Sequence, residues 1–151
     1  MNLLKSFKIQ SCIEISAAVS QVWNIFIEFK SYSEWNPFIT KIEGIPKRFE
    51  ILNMTIRCPG MISFRFQPRV SKVIPSAELS WRGAFFSRTF GQATHQFRVQ
   101  KIDDHTTQFI QKSDISGLWV PGLHVYFGEK FREGFRLMNQ ALKQQVENQL
   151  G

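Results

Sequence analysis

Residues 127–146, FGEKFREGFRLMNQALKQQV, decide how the chain folds. Phe127, Phe131, Phe135, Met138, Leu142 and Val146 recur every three or four positions, so a helix would carry them on one stripe. Lys130, Arg132, Arg136, Lys143 and Glu147 fall on its other faces. Pro121-Gly122 opens the element. The period predicts a helix of about 25 residues, which at ~1.5 Å per residue exceeds ~30 Å. An aromatic stripe of that length needs another layer to cover it. Gly134 interrupts the stripe, where glycine costs about 1 kcal/mol relative to alanine; a close backbone approach or a kink is expected there.

Most of the preceding chain alternates. Phe7, Ile9, Ile13 and Ile15 alternate with Lys8, Gln10, Cys12 and Glu14, as in a strand with one buried face. The period then changes: Val19, Val22, Trp23, Phe26 and Ile27 are helically spaced, with an end near Phe29. Next comes SYSEWNPFI, residues 31–39. Ser31 and Glu34 have capping-box spacing, while Pro37 biases Asn36 out of helical geometry. A second helix of barely one turn is expected, carrying Trp35 and Phe38 either as core plugs or as the wall of a site.

Strand signals follow. Ile39–Glu43 is closed by Gly44, and Leu52, Met54 and Ile56 alternate up to Pro59-Gly60. Ile62, Phe64 and Phe66 begin a strand that runs to about Ile74, with Pro68 as an edge or bulge. Leu79-Ser80-Trp81 follows the turn at Pro75-Ser76-Ala77. Gly91, Ala93, His95, Phe97 and Val99 share a face, and Asp103-Asp104 turns the chain into a last strand over about Thr106–Ile115. The order is strand, helix, short helix, six strands, long helix. Hairpin-linked strands imply an antiparallel sheet, and no linker or repeat divides residues 1–151, so one domain is expected.

Composition bounds the rest. With 43% hydrophobic and 21% charged residues the chain is an ordinary globular one. Fifteen Phe stand beside four Trp and two Tyr, which fits either a packed core or the wall of an apolar cavity. The net charge of +7 is scattered, with no run of five like charges, so no nucleic-acid partner is expected. Cys12 and Cys58 form no C-x-x-C, and Asn53-Met54-Thr55, a glycosylation sequon, carries little weight without a secretory signal. Residues 1–5 lack a signal-peptide core, and no apolar run nears the ~20 residues of a membrane span. A cytoplasmic protein is expected, as monomer or homodimer, with room for transient membrane contact.

Five segments carry a family resemblance: EISAAVSQVWNIFIEFKSYSEWNPFITKIEG (14–44), FRFQPRVSKVIPSAELSWRG (64–83), THQF (94–97), ISGLWVPGL (115–123) and GFRLMNQALKQQVE (134–147). In this order they resemble the START-like (SRPBCC) superfamily, in particular its polyketide cyclase/dehydrase-like branch. The resemblance implies an α+β helix-grip fold: a curved antiparallel sheet of about seven strands around a long C-terminal helix, with two short helices after the first strand. Between sheet and helix it implies a cavity for an apolar or amphipathic small molecule. Relatives often carry Pro at position 18 and His at position 111, where this chain has Ala18 and Gln111. The superfamily holds lipid carriers, cyclases and co-chaperones, so no single reaction is implied.

Chemical signals are sparse. His95, His105 and His124 show no metal-ligand spacing, and no nucleophile elbow or phosphate loop occurs, so neither metal nor cofactor is expected. His95 shares a face with Phe97 and Val99; it is a satisfied core histidine, a ligand contact or an acid/base. Gln111 and Ser113 share a face with Thr107 and Phe109, either inward as ligand-orienting groups or solvated. Arg65, Gln67 and Arg69 read as surface. The expected cavity comprises Trp35, Phe38, Phe64, Phe66, Trp81, His95, Phe97, Gln111, Ser113, Trp119, Phe127, Phe131 and Phe135, with Trp35 bounding it beside Phe38 and Trp119 as lid or loop anchor. Binding or transport of a lipid-like or polycyclic molecule is the first expectation. A polyketide cyclase/dehydratase using His95 is the alternative, and a co-chaperone role ranks last because Trp35-Asn36-Pro37 replaces the W-W-G-P-like motif.

Overall fold

A computed structural model describes residues 4–85, 91–118 and 123–150. Among them the chain runs β1 (Leu4–Ile15), α1 (Val19–Phe26), a 3₁₀ turn (Phe29–Ser31), α2 (Tyr32–Trp35), β2 (Ile39–Glu43), β3 (Asn53–Ile56), β4 (Phe64–Phe66), β5 (Arg69–Ile74), β6 (Glu78–Phe85), β7 (Gly91–Asp103), β8 (Thr106–Leu118) and α3 (Leu123–Leu150). All strand pairs are antiparallel. α3 has 28 residues, about 42 Å of helix, and its buried stripe of Phe131, Phe135, Met138, Leu142 and Val146 packs along β1. This is the expected helix-grip arrangement of a long helix on a curved sheet.

The strand count differs from expectation. Among the described residues eight strands form two sheets, one ordered β1-β8-β7-β6-β5 and one β2-β3-β4, instead of about seven in one sheet. The extra strand comes from the segment read as continuous from Ile62 to Ile74. β4 pairs with β3 and β5 pairs with β6, so the chain changes sheets at Gln67-Pro68. Pro68 has no N–H for a ladder, and its carbonyl instead accepts the Leu52 amide at 2.9 Å. Gly83 makes room at this corner, since a Cβ there would lie 2.9 Å from both the Phe66 ring and Pro68 Cα.

The first helices also differ in detail. α1 stops at Phe26, not near Phe29, and the 3₁₀ turn follows. Ser31 does not form the predicted capping box with Glu34. Its backbone is already helical (φ −91°, ψ −3°), and its hydroxyl donates backward to the Glu28 carbonyl at 2.9 Å. The side-chain cap appears at α1, where Gln21 Oε1 accepts the Ala18 amide at 2.9 Å. α2 ends as predicted: Asn36, ahead of Pro37, is extended at ψ 113°. Its Oδ1 accepts the amides of Phe38 at 3.0 Å and Ile39 at 2.9 Å, which swings the chain into β2.

Aromatic rings fill the layer between helix and sheets. Phe26 meets Phe97 at 4.9 Å and Phe109 at 5.2 Å between centroids. Gly134 allows the closest approach to α3: a Cβ there would fall 2.8 Å from Phe38 Cε1 and nearer still to Cδ1. The expected close approach is therefore what Gly134 serves. Gly134→Ala gains about 1 kcal/mol of helix propensity but forces a buried ring aside, at about 1–3 kcal/mol. A thermal melt should show Tm lowered by a few degrees, and a raised Tm would show that Phe38 moves freely.

Candidate ligand cavity

Alternation along two neighbouring strands builds the site. On β7, Gly91, Ala93, His95, Phe97 and Val99 are all buried, and on β8 so are Thr107, Phe109, Gln111, Ser113, Ile115 and Gly117. The register sets His95 opposite Ser113 on one side and Trp81 on the other, with Phe97 opposite Gln111. Gln111 and Ser113 thus point inward, the first of the two orientations left open by the sequence.

A cavity lies where these strands, the smaller sheet and α3 meet. Of the residues singled out in the sequence, Phe38, Phe64, Phe66, Trp81, His95, Ser113, Phe131 and Phe135 line it together. Ile39, Met54, Ile56, Ala93 and Ile115 complete the wall; their inward parity on β2, β3, β7 and β8 was the available signal. The space open to a water-sized sphere is about 30 Å³, enough for a water or two, against the ~300–1,000 Å³ of a drug-sized site. The aromatic side chains close on one another and leave only a seam.

The other candidates stand elsewhere. Phe97 is fully buried behind the wall, its ring stacked on His95 at 4.1 Å. Gln111, also fully buried, reaches His95 rather than the cavity. Phe127 is half-buried, one α3 turn from Phe131, and meets Tyr126 edge-on at 5.6 Å. Trp119 lies outside the described residues. Trp35 does not join Phe38 at the cavity. It packs edge-on against Tyr32 at 5.1 Å and borders an outer groove with Arg57, Pro59 and Leu137. Between the two lies the Asn36-Pro37 step, where the helix ends and the backbone becomes extended.

A polar chain crosses the apolar interior. His95 Nε2 and Gln111 Oε1 are 3.0 Å apart. The Gln111 amide nitrogen donates to Asn139 Oδ1 at 2.6 Å and to the Phe135 carbonyl at 3.3 Å. Asn139 Nδ2 donates to Ser11 Oγ at 3.0 Å, where β1 meets α3. The direction of these bonds fixes the imidazole: facing a carbonyl oxygen, Nε2 carries the proton and Nδ1 keeps the lone pair. Burial among Phe97, Phe135 and Trp81 lowers the His95 pKa to about 3, against a smaller upward pull from Gln111. His95 is therefore a neutral imidazole of fixed tautomer. Asn139 escaped the sequence reading, although a polar residue four positions after Phe135 on the apolar stripe marked it. Ser113 Oγ donates to the Thr94 carbonyl at 2.9 Å.

Neither cysteine offers a nucleophile to the cavity. Cys12 is exposed, and burial pushes the Cys58 thiol up to about 12 despite nearby Lys130.

The sequence profile described as polyketide cyclase / dehydrase and lipid transport matches residues 6–147. The chain belongs to this family. No curated protein matches it in sequence. Among solved structures, the family member resembles the ZhuI aromatase/cyclase from Streptomyces sp. R1128, with TM-score 0.81, 12% identity and 97% of each chain covered. It also resembles a START superfamily protein from Mycobacterium smegmatis, with TM-score 0.75, 21% identity, and 95% of this chain and 99% of that one covered. A norcoclaurine synthase point mutant from Thalictrum flavum, in complex with a transition-state analogue, gives TM-score 0.75 at 13% identity over 98% of both chains. At these identities the likeness carries the fold. No helix among the described residues is long and apolar enough to cross a membrane.

Proposed function

We propose that the protein binds an apolar small molecule, lipid-like or polycyclic, in the seam between the sheets and α3. The observation that carries this is the wall itself: aromatic and aliphatic side chains from both sheets and the helix converge there around one neutral imidazole. Each apolar surface removed from water stabilises the complex by ~25 cal/mol per Å² before the costs of association. The ligand enters by parting the rings, because the closed space of about 30 Å³ is smaller than any such molecule. Phe64 is half-buried and meets Phe131 edge-on at 6.3 Å, and it is the least buried side chain of the wall. His95 and Ser113 are the polar side chains on the wall available to orient the bound molecule, and Gln111 acts behind them by holding His95.

The protein is to be purified gently and analysed by native mass spectrometry for a co-purifying ligand, then titrated with a fluorescent fatty acid. Saturable binding is expected in the wild type. Ala93→Leu fills the seam and should weaken binding about tenfold, with a cooperative melt retained at an overpacking cost of about 1–3 kcal/mol. Equal affinity in the folded variant, or no binding by the wild type, would overturn the proposal.

The second reading is a cyclase or dehydratase with His95 as acid/base. It is favoured by one feature, the imidazole held in a single tautomer beside the cavity by Gln111. His95 is the one titratable side chain lining that cavity among the described residues. Proton transfer in both directions would therefore have to run through one imidazole or through the substrate itself. Undiminished turnover of a polyketide-like substrate by folded His95→Ala would exclude this role.

A further inference from the structure

We propose that the β2–β3 connection, residues 44–52, is a docking surface for an anionic lipid bilayer. Phe49 has φ 76°, a left-handed backbone that is a true outlier for a bulky residue. The surrounding chain imposes it. The Phe49 amide donates to the Val70 carbonyl at 2.9 Å, and the Val70 amide donates back to Glu50 at 2.8 Å. The ring nevertheless buries little: Phe49 is 66% exposed, and Ile45 and Ile51 beside it are 54% and 51% exposed. A costly backbone thus holds an aromatic ring out in water, the reverse of what stability alone would select.

Positive charge surrounds these side chains. The Arg48 guanidinium sits 4.6 Å from the centre of the Phe49 ring, and Lys47 precedes it. Arg69 lies across from Ile51 and directly opposite Arg82 on β6. Like charges placed opposite each other weaken a sheet, and an anion facing them removes that penalty. None of these four cations forms an ion pair with a carboxylate among the described residues. Glu50 is the acid within the connection, and nearby Glu43 is held by Lys41 at 3.0 Å.

The shape selects the partner. Ile45, Phe49 and Ile51 are exposed together on one connection between strands, and a partner that accepts projecting side chains needs no matching pocket. A bilayer interface accepts such side chains at headgroup level, and anionic lipid attracts the flanking cations. The inference is independent of what occupies the cavity.

The test is co-sedimentation of the full chain with vesicles of phosphatidylcholine, alone or with about one-third phosphatidylserine, at low and high salt. Binding to the anionic vesicles that weakens with salt is expected. Lys47→Gln and Arg48→Gln should each reduce it about fivefold. Phe49→Gly and Phe49→Asn suit a left-handed backbone, so both should keep or raise Tm while losing about tenfold in vesicle binding. The proposal is overturned if anionic vesicles fail to sediment the wild type, or if both Phe49 variants bind as well as it does. Retention on polyglutamate without vesicle binding also overturns it, in favour of an acidic polypeptide partner.

Discussion

Acidification below about pH 6.5 is expected to destabilise the fold through His95, by about 1.4 kcal/mol per pH unit where the difference in protonation is complete. The imidazole has its ordinary value of 6.5 in the unfolded chain and about 3 in the folded one, because burial strips its charged form of water. Between those values the unfolded state binds the proton and the native state does not. Stability therefore rises with pH across this window, and the effect of His95 is absent above about pH 6.5. Among the described residues the ring meets Trp81, Phe97, Phe135 and Gln111, none of which carries a charge to moderate this. The carboxyls of Glu78, Glu133 and Glu147 lie below their ordinary 4.5, so their influence comes later in the titration. Urea unfolding at a series of pH values measures the slope. In His95→Gln the loss between about pH 6.5 and 4.5 should flatten, and an unchanged slope would mean that His95 is solvated in the native state.

Truncation of Phe135 should produce an effect of similar size by another route. The ring is 1% exposed and fills the junction between Phe38 at 5.4 Å and His95 at 4.7 Å. Phe135→Ala removes its contacts and leaves a void that its neighbours fill only in part, which for a buried Phe costs about 3–5 kcal/mol. At this chain length each kcal/mol moves Tm by ~2–4 °C, so a fall of roughly 6–20 °C is expected. The void opens into the seam, so the surviving folded protein should bind an apolar probe more tightly than the wild type. A loss below about 1 kcal/mol would show that the helix settles onto the sheet and closes the gap. That outcome would also predict no gain in probe affinity, so calorimetry and the binding titration check each other.

The fold was legible wherever one periodicity ran long enough. The stripe from Phe127 to Val146 and the alternation from Gly91 to Val99 each repeat over several turns or pleats, and the structure buries the faces they mark. The change of sheet at Pro68 was hidden for a physical reason. Phe66, Pro68 and Val70 are all buried, so inward parity persists across the corner and the pattern looks like one strand. Trp35 was unreadable for the opposite reason: α2 spans only Tyr32–Trp35, too short for a period to mark its inward face. His95 was singled out by its strand face, but its orientation depends on Gln111 and Asn139, which lie 16 and 28 residues from their respective partners, His95 and Gln111, in sequence. Contacts of that kind leave only a faint mark, here a polar residue on an apolar stripe.

The pairing of β1 with β8 joins residues 4–15 to residues 107–118. At ~5–20 residues per second, the ribosome takes roughly 5–20 s to make the intervening chain. Throughout that time the first strand has no sheet partner, and its apolar residues, Ile9 and Ile15 among them, have nothing to cover them. α3, which packs along the same strand, comes later still. β1 is thus made well before its native neighbours, and Lys8 and Glu14 place charges of both signs in that strand, of the kind that discourages pairing with other chains.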